Sequence, residues 1–478
     1  MKKVVLVSCF LLLTVKLFAQ QFSQYNTGTL YDSFENPSQR SFIPDSSRFI
    51  ASNFFIPNLT GNFYVTGNAQ DAVIDRFFSG YYNTKALQIG QGKYSNIRSS
   101  SNAYLAMLKI FTSLNGNQEI GFSISSRAEA MGYVTDESLA LFAGPNDFNK
   151  SFYANVLNDN YSYQVYHQFS FSYREQINPR FALGIKLSAL LGLAYSDVRI
   201  NQSQLTLDQP NDAAIIALSG TGKISEQIKK FTFKNPGAAI TIGTGLTTRD
   251  GYRLQFNLKD LGIIRWGGDS YIANFVSGDT INNFSKKERE QNIINAVSSI
   301  TSGNKTPGPF YSHTNAIFET SINRTYWLDY DKKFRIAPTL IASKELFYDH
   351  VTAAAVVPFS YNNITVTGTA SYNTLGLFNW GGQLMYKTPN FELFAGTERL
   401  YQSAKAVRTA LRNNGAQQEQ VVRNTGAYSG ADVFFGISFK FGNVIEHPMN
   451  ASWIPNGEDG GFFSRIWHKV FKGKQGTY

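Results

Sequence analysis

Residues 181–195 read FALGIKLSALLGLAY. The odd positions, Phe181, Leu183, Ile185, Leu187, Ala189, Leu191, Leu193 and Tyr195, are apolar, and the even ones, Gly184, Lys186, Ser188, Gly192 and Ala194, are small or polar, with Leu190 the exception. A two-residue rhythm describes a strand with one oily and one wet face. It recurs where Tyr252, Leu254, Phe256 and Leu258 interleave with Arg253, Gln255, Asn257 and Lys259. It returns near the end, where Val433, Phe435, Ile437, Phe439 and Phe441 flank Gly436, Ser438 and Lys440.

Composition says which medium that oily face meets. Aromatic residues make up 15% of the 478 and charged residues only 16%, against about 25% charge in soluble domains. No window after residue 20 holds the roughly 18 consecutive apolar residues a spanning helix needs. A membrane chain of this kind spans by strands. A β-sandwich alternates too, so loop lengths must decide. Strands are expected near 102–113, 118–134, 160–174, 180–200, 236–248, 251–266, 311–328, 333–347, 350–359, 363–373, 377–388, 391–403 and 431–441. A further one within 47–67 brings the count to about fourteen. Tight turns at Asn115-Gly116, Asn178-Pro179, Asp250-Gly251, Asp331-Lys332 and Pro389-Asn390 alternate with long connections near 135–159, 201–235, 267–310 and 404–430. Short turns on one side and long loops on the other mark transmembrane barrels. Protease added from outside is expected to cut within 201–235, 267–310 or 404–430.

The expected fold is therefore all-β: a transmembrane antiparallel β-barrel of about 14 strands in the outer membrane. In lipid such a sheet must close, because each unpaired edge group costs several kcal/mol, as a rough figure. Fourteen strands leave a lumen wider than side chains alone fill. Two stretches read as poor wall: 49–56, which stops at Pro57, and 71–79, which looks like a short helix. They form either a hatch folded into the lumen or a surface loop. Lumen-lining candidates are Arg127, Glu129, Arg174, Lys186, Arg253, Lys259 and Lys440. They act either as a mildly basic path for anions or as internal ion pairs with Glu129, Glu392, Glu398 or the hatch, the second being favoured.

Residues 1–19 read as a secretory signal: Lys2 and Lys3, an apolar run from Val4 to Val15, and Leu17-Phe18-Ala19 before Gln20. The remaining divisions are 20–101, an N-terminal segment with the first strand and the hatch; 102–442, the barrel; and 443–478, a periplasmic tail. Cys9 is the only cysteine, so the processed chain has no disulfide, thiolate metal site or cysteine nucleophile. Ser219-Gly220-Thr221-Gly222-Lys223 imitates a phosphate loop but has Ala217 and Ile224 where the motif needs Gly and Ser or Thr. The five histidines have no metal spacing and no G-x-S-x-G elbow occurs. No enzyme activity, catalytic residue, metal or cofactor is expected, and no nucleic-acid partner. In the tail, Phe462, Phe463, Ile466, Trp467, Val470 and Phe471 recur at helical spacing, opposed by Arg465, Lys469, Lys472 and Lys474. That predicts a basic amphipathic helix contacting lipid or a periplasmic or envelope protein.

Four segments carry a resemblance: Ser33-Phe34-Glu35-Asn36-Pro37; Gly184-Ile185-Lys186-Leu187 leading to Gly192-Leu193-Ala194; Asp260-Leu261-Gly262 with Arg265-Trp266; and Phe435-Gly436-Ile437-Ser438-Phe439-Lys440-Phe441-Gly442. Together they resemble a Bacteroidota outer-membrane barrel family of unknown function over roughly 30–442. The resemblance implies a barrel akin to the fatty-acid-transporter type, with an N-terminal hatch, and no reaction or ligand. The long tail after Gly442 departs from the family's ending. Two functions are expected from different classes: transport of a small amphipathic or anionic molecule, or a non-transporting accessory role in an envelope complex such as a secretion or gliding apparatus.

Overall fold

A computed structural model describes residues 25, 27–41, 48–112, 117–226, 234–267, 269–301, 305–412, 429–444, 461–463 and 466. Residues 1–19, expected as a leader, Asn115-Gly116, expected as a turn, and Trp467, Val470 and Phe471 lie outside the described residues.

Fourteen antiparallel strands close into a barrel. The first, β1, comes in two pieces, Arg48–Ser52 and Asn58–Thr66. Then follow β2 (Tyr94–Phe111), β3 (Gln118–Thr135), β4 (Asn160–Asn178), β5 (Phe181–Asp208), β6 (Pro236–Thr247) and β7 (Tyr252–Trp266). The eighth, β8, joins Phe310–His313 to Ile317–Arg324, and β9 joins Phe334–Ile336 to Thr339–Glu345. The wall finishes with β10 (Val351–Tyr361), β11 (Ile364–Asn373), β12 (Phe378–Thr388), β13 (Phe391–Thr397) and β14 (Gly430–Val444). Closure is made by β14, which pairs with β13 on one side and with both pieces of β1 on the other. Six connections lie at the end where β1 begins and β14 finishes, and the brief turns near 348 and 374 lie at the other. The seven other connections, these two turns among them, gather at that opposite end.

Alternation sorts the wall. Leu340, Val366, Leu384 and Tyr386 point outward and are exposed, while Thr365, Thr367, Thr369 and Ser371 of β11 point inward and are buried. In β1 the wall is interrupted at 53–57, where Phe54 and Phe55 adopt φ of 45° and 61° and stand exposed on the outer face. Asn53 seals the gap. Its Nδ2 donates to the carbonyls of Ile56 (2.8 Å) and Tyr104 (3.2 Å), and its Oδ1 accepts from the Met107 N–H (2.8 Å). A side-chain amide thus replaces the missing ladder bonds, since backbone groups facing lipid need partners.

Of the two alternatives for 49–56 and 71–79, a hatch or a surface position, neither stretch takes the first. Residues 49–52 belong to the wall, and 71–79 form most of a helix, α2 (Gln70–Ser79), at the long-connection end, where Arg76 pairs with Glu290 at 2.7 Å. What enters the lumen is the segment around a shorter helix, α1 (Leu30–Glu35), whose six residues are all buried. The reason is chemical: α1 carries Leu30, Tyr31 and Phe34 with Glu35 at their flank, so it satisfies a lumen that is itself part apolar and part charged.

The long connections are not loops throughout. At 28 residues β5 far exceeds the roughly 9–11 that cross a bilayer. Its first part pairs with β6, and from Ala194 onward it pairs with the strand Ala213–Glu226, which pairs with Ser270–Asn282. Against this sheet pack α3 (Asp136–Ala143) and α4 (Arg289–Thr301). Val198, Leu205, Ile216, Leu218, Phe275, Ile293 and Ile300 form a dry core there. The short strand and helix patterns within 135–159, 201–235 and 267–310 need each other to bury this core, so no single window reveals it. The expected protease sites narrow accordingly to stretches outside the paired strands. Replacing Asn53 with Ala should cost on the order of 1–3 kcal/mol. Loss of heat-modifiable gel mobility at a lower temperature than wild type checks it.

Candidate functional site

The plug at 25–41 is too short to hold a helix alone, because nucleation is unfavourable in so few residues. Local and tertiary contacts supply the difference. A capping box joins Thr29 and Asp32. Tyr31 and Phe34 pack on Tyr104, Met107, Phe111, Phe394 and Phe434 of the wall. Gly184 and Gly243 give it room: a Cβ at 184 would overlap the Pro37 carbonyl, and one at 243 the Asn36 side chain.

Charged knots then fix the plug at three places. Near its start, Lys387 donates to the Gly28 carbonyl (2.6 Å), while Glu392 accepts from the Leu30 N–H (2.6 Å) and also from the Ser438 hydroxyl. In the middle, Glu35 is paired with Arg127 (3.2 Å) and Lys259, and accepts from the Tyr104 hydroxyl at 2.7 Å. Asp260 holds the same arginine at 2.8 Å and Lys186 at 3.1 Å. Toward the short-turn end, Glu119 pairs with Lys109 (3.2 Å) and Arg174 (3.7 Å), and Arg174 donates to the Ser38 carbonyl at 2.9 Å. Glu35 sits in the plug rather than in a spanning strand. Burial opposes its ionisation, but Lys259, Arg127 and Lys186 outweigh that and bring its carboxyl down to about 2.

Of the seven residues singled out by alternation, four enter these knots: Arg127, Arg174, Lys186 and Lys259. The other three do not. Glu129 shares their inward parity and makes no ion pair among the described residues. Arg253 lies on the inward side of β7 toward the short turns. Lys440 stands over the Phe111 ring at 4.9 Å. Alternation missed Glu35, Lys109, Glu119, Asp260 and Lys387. Asp260 had a readable signal. Outward apolar parity in β7 switches from even (Leu254, Phe256, Leu258) to odd (Leu261, Ile263), which marks an inserted residue. A bulge between Leu258 and Leu261, with φ of 49° at Asp260, turns Lys259 and Asp260 inward together.

Above the plug, at the long-connection end, Arg98 pairs with Glu345 (2.7 Å), which also contacts His350 Nδ1 at 3.2 Å. Arg399 lies over the Tyr64 ring at 4.5 Å, and its two terminal nitrogens have no hydrogen-bond partner among the described residues. At the other end the tail touches the rim. The Phe463 N–H donates to Glu175 (2.7 Å) and its ring meets Tyr173 at 5.4 Å, leaving Phe462 and Ile466 exposed.

These features define a transmembrane β-barrel of fourteen strands closed inside by its own N-terminal segment. Residues 43–398 match a family of unknown function (DUF5723), and the chain belongs to that family. The match includes the segments around Gly184 and Asp260 but neither the plug motif at Ser33 nor the ending at Phe435. No curated protein matches. Among solved structures, the P. putida toluene transporter TodX is 9% identical with a TM-score of 0.39, covering 86% of this chain and 94% of that one. A Pseudomonas aeruginosa FadL homologue is 11% identical at 0.38, covering 87% and 95%. The translocator domain of the autotransporter NalP from Neisseria meningitidis is 8% identical at 0.35, covering 84% and 91%. Likeness of this degree says nothing about what the chain carries.

A carboxylate held below its usual range contributes stability at neutral pH and loses it only as pH falls through the acid range toward that value. Protease resistance of residues 25–41 should therefore be unchanged from pH 8 to pH 5.

Proposed function

We propose that the protein is an outer-membrane channel or transporter for a small amphipathic or anionic molecule, with residues 25–41 as the removable closure. The end where β1 begins and β14 finishes then faces the periplasm, and the dry-cored cap on β5 faces outward. The observation that carries this reading is how the plug is held. Its polar side rests on charges and hydrogen bonds to the wall, and no disulfide ties it, since the only cysteine is Cys9. Buried ion pairs add little net stability compared with apolar packing of the same volume. A barrel that only had to stand in lipid would be more stable with fewer strands and an apolar filling.

Cysteines at Asn36 and Gly243, where the Asn36 side chain fills the position of the glycine's missing Cβ, lock the plug to the wall. In planar bilayers the reduced variant should show single-channel openings and the oxidised one should stay silent. Silence in both, with the barrel shown to be folded, overturns the reading.

The accessory role has its own support in the Phe463 contact with Glu175, which holds part of the tail at the rim with Phe462 and Ile466 outward. Under that reading, removing residues 443–478 abolishes co-purification of an envelope partner. Unchanged co-purification removes the tail from the argument.

A further inference from the structure

We infer that Glu35 is a built-in occupant of an anion-binding site on the barrel wall, and that the solute which replaces it is a small hydrophilic anion bearing a carboxylate or phosphate. This rests on the channel reading above. Around Glu35 stand three cations from three strands: Arg127 on β3, Lys186 on β5 and Lys259 on β7. They face three carboxylates, Glu35, Asp260 and Glu319, the last reached through Asn257 at 3.3 Å. Only Glu35 belongs to the plug. When it leaves, Arg127, Lys186 and Lys259 lose the one carboxylate that the wall does not supply, while Asp260, Glu319 and, on the same inward parity of β3, Glu129 remain.

Two of the three wall cations do not depend on the plug for their positions. Asp260 stays behind and holds both Arg127 and Lys186, so the site remains organised for the next anion. Preorganised charge is what makes an anion site strong, since little has to be rearranged on binding. Glu35 also leaves the site incompletely used. Arg127, 7% exposed, has its Nε–H donor without a partner among the described residues. An anion with more oxygens than one carboxylate would engage a donor that Glu35 does not.

The surroundings select a hydrophilic ligand. Asn102, Tyr104 and the Asn257 amide lie about the Glu35 end of the plug, and Gln168 and Thr241 hold Asp260 at 3.0 and 3.1 Å. The apolar contacts of the plug belong to Leu30, Tyr31 and Phe34, and Tyr104 meets both sets, its ring against Tyr31 and Phe34 and its hydroxyl on Glu35.

The test is swelling of proteoliposomes holding the full chain with Glu35→Gln, in isotonic succinate, phosphate, arabinose or choline. Neutralising Glu35 weakens the closure and leaves the wall cations in place. Succinate or phosphate should enter about tenfold faster than arabinose, as expected for charge focused in a low-dielectric cleft, with choline slowest. The faster anion identifies the headgroup chemistry. Adding Arg127→Gln should abolish the preference. Equal entry of all four solutes overturns the anion site while leaving the channel reading intact. No entry of any solute, in this variant or in the reduced Asn36/Gly243 cysteine pair, overturns the channel reading itself. A second measurement keeps Glu35 in place and covers a Glu35→Gln variant that does not assemble. With Ser33→Cys in the plug, succinate or phosphate should speed maleimide labelling about tenfold over choline chloride at equal ionic strength. Labelling rates indifferent to both anions overturn the proposal.

Discussion

Backbone hydrogen bonds that cannot be left open in lipid govern this molecule. Each strand must find two neighbours, so β14 has to return to β1, and fourteen strands become a cylinder with an interior of its own. The same rule explains the local repair in β1. Where Pro57 and the outward loop of Phe54 and Phe55 break the ladder, Asn53 lends its amide to the stranded backbone groups.

Closure creates a second demand, because a cylinder of this width has an inside that must be filled with something or with water. Here the filling is a piece of the same chain, matched to the wall patch by patch. Tyr31 and Phe34 meet aromatic side chains, and Glu35 meets arginine and lysine. An apolar filling would have been permanent. A filling partly held by charge is one whose departure, under the channel reading proposed above, would turn Arg127, Lys186 and Lys259 toward the lumen.

The two ends of the barrel differ for a related reason. Strands outside the bilayer are free of the lipid rule and follow the ordinary one for water, which is to bury an apolar core. As β5 leaves the membrane it changes partner from β6 to Ala213–Glu226, and its side chains change from meeting lipid to meeting Phe275 and Ile293. One strand thus serves two solvents along its length.

The amino-acid order by itself determined the wall: period-two alternation, the turn residues and the lack of a long apolar run sufficed for an all-β barrel of about fourteen strands, since the lipid-facing side chains answer only to their own strand. It also put Arg127, Arg174, Lys186 and Lys259 on the wet side, for the same local reason. What fills the lumen was beyond it. Residues 71–79 are the short helix they looked like, and of 49–56 the first four pair into the wall while the rest interrupt it, but it was Ser33-Phe34-Glu35-Asn36-Pro37 that became the plug. Glu35 acquires its role only because β3, β5 and β7 bring cations to one point from positions 127, 186 and 259. Alternation is a property of neighbours in sequence, whereas a charge cluster and a dry cap are properties of strands that meet only after the sheet has curled, so tertiary structure alone decided them.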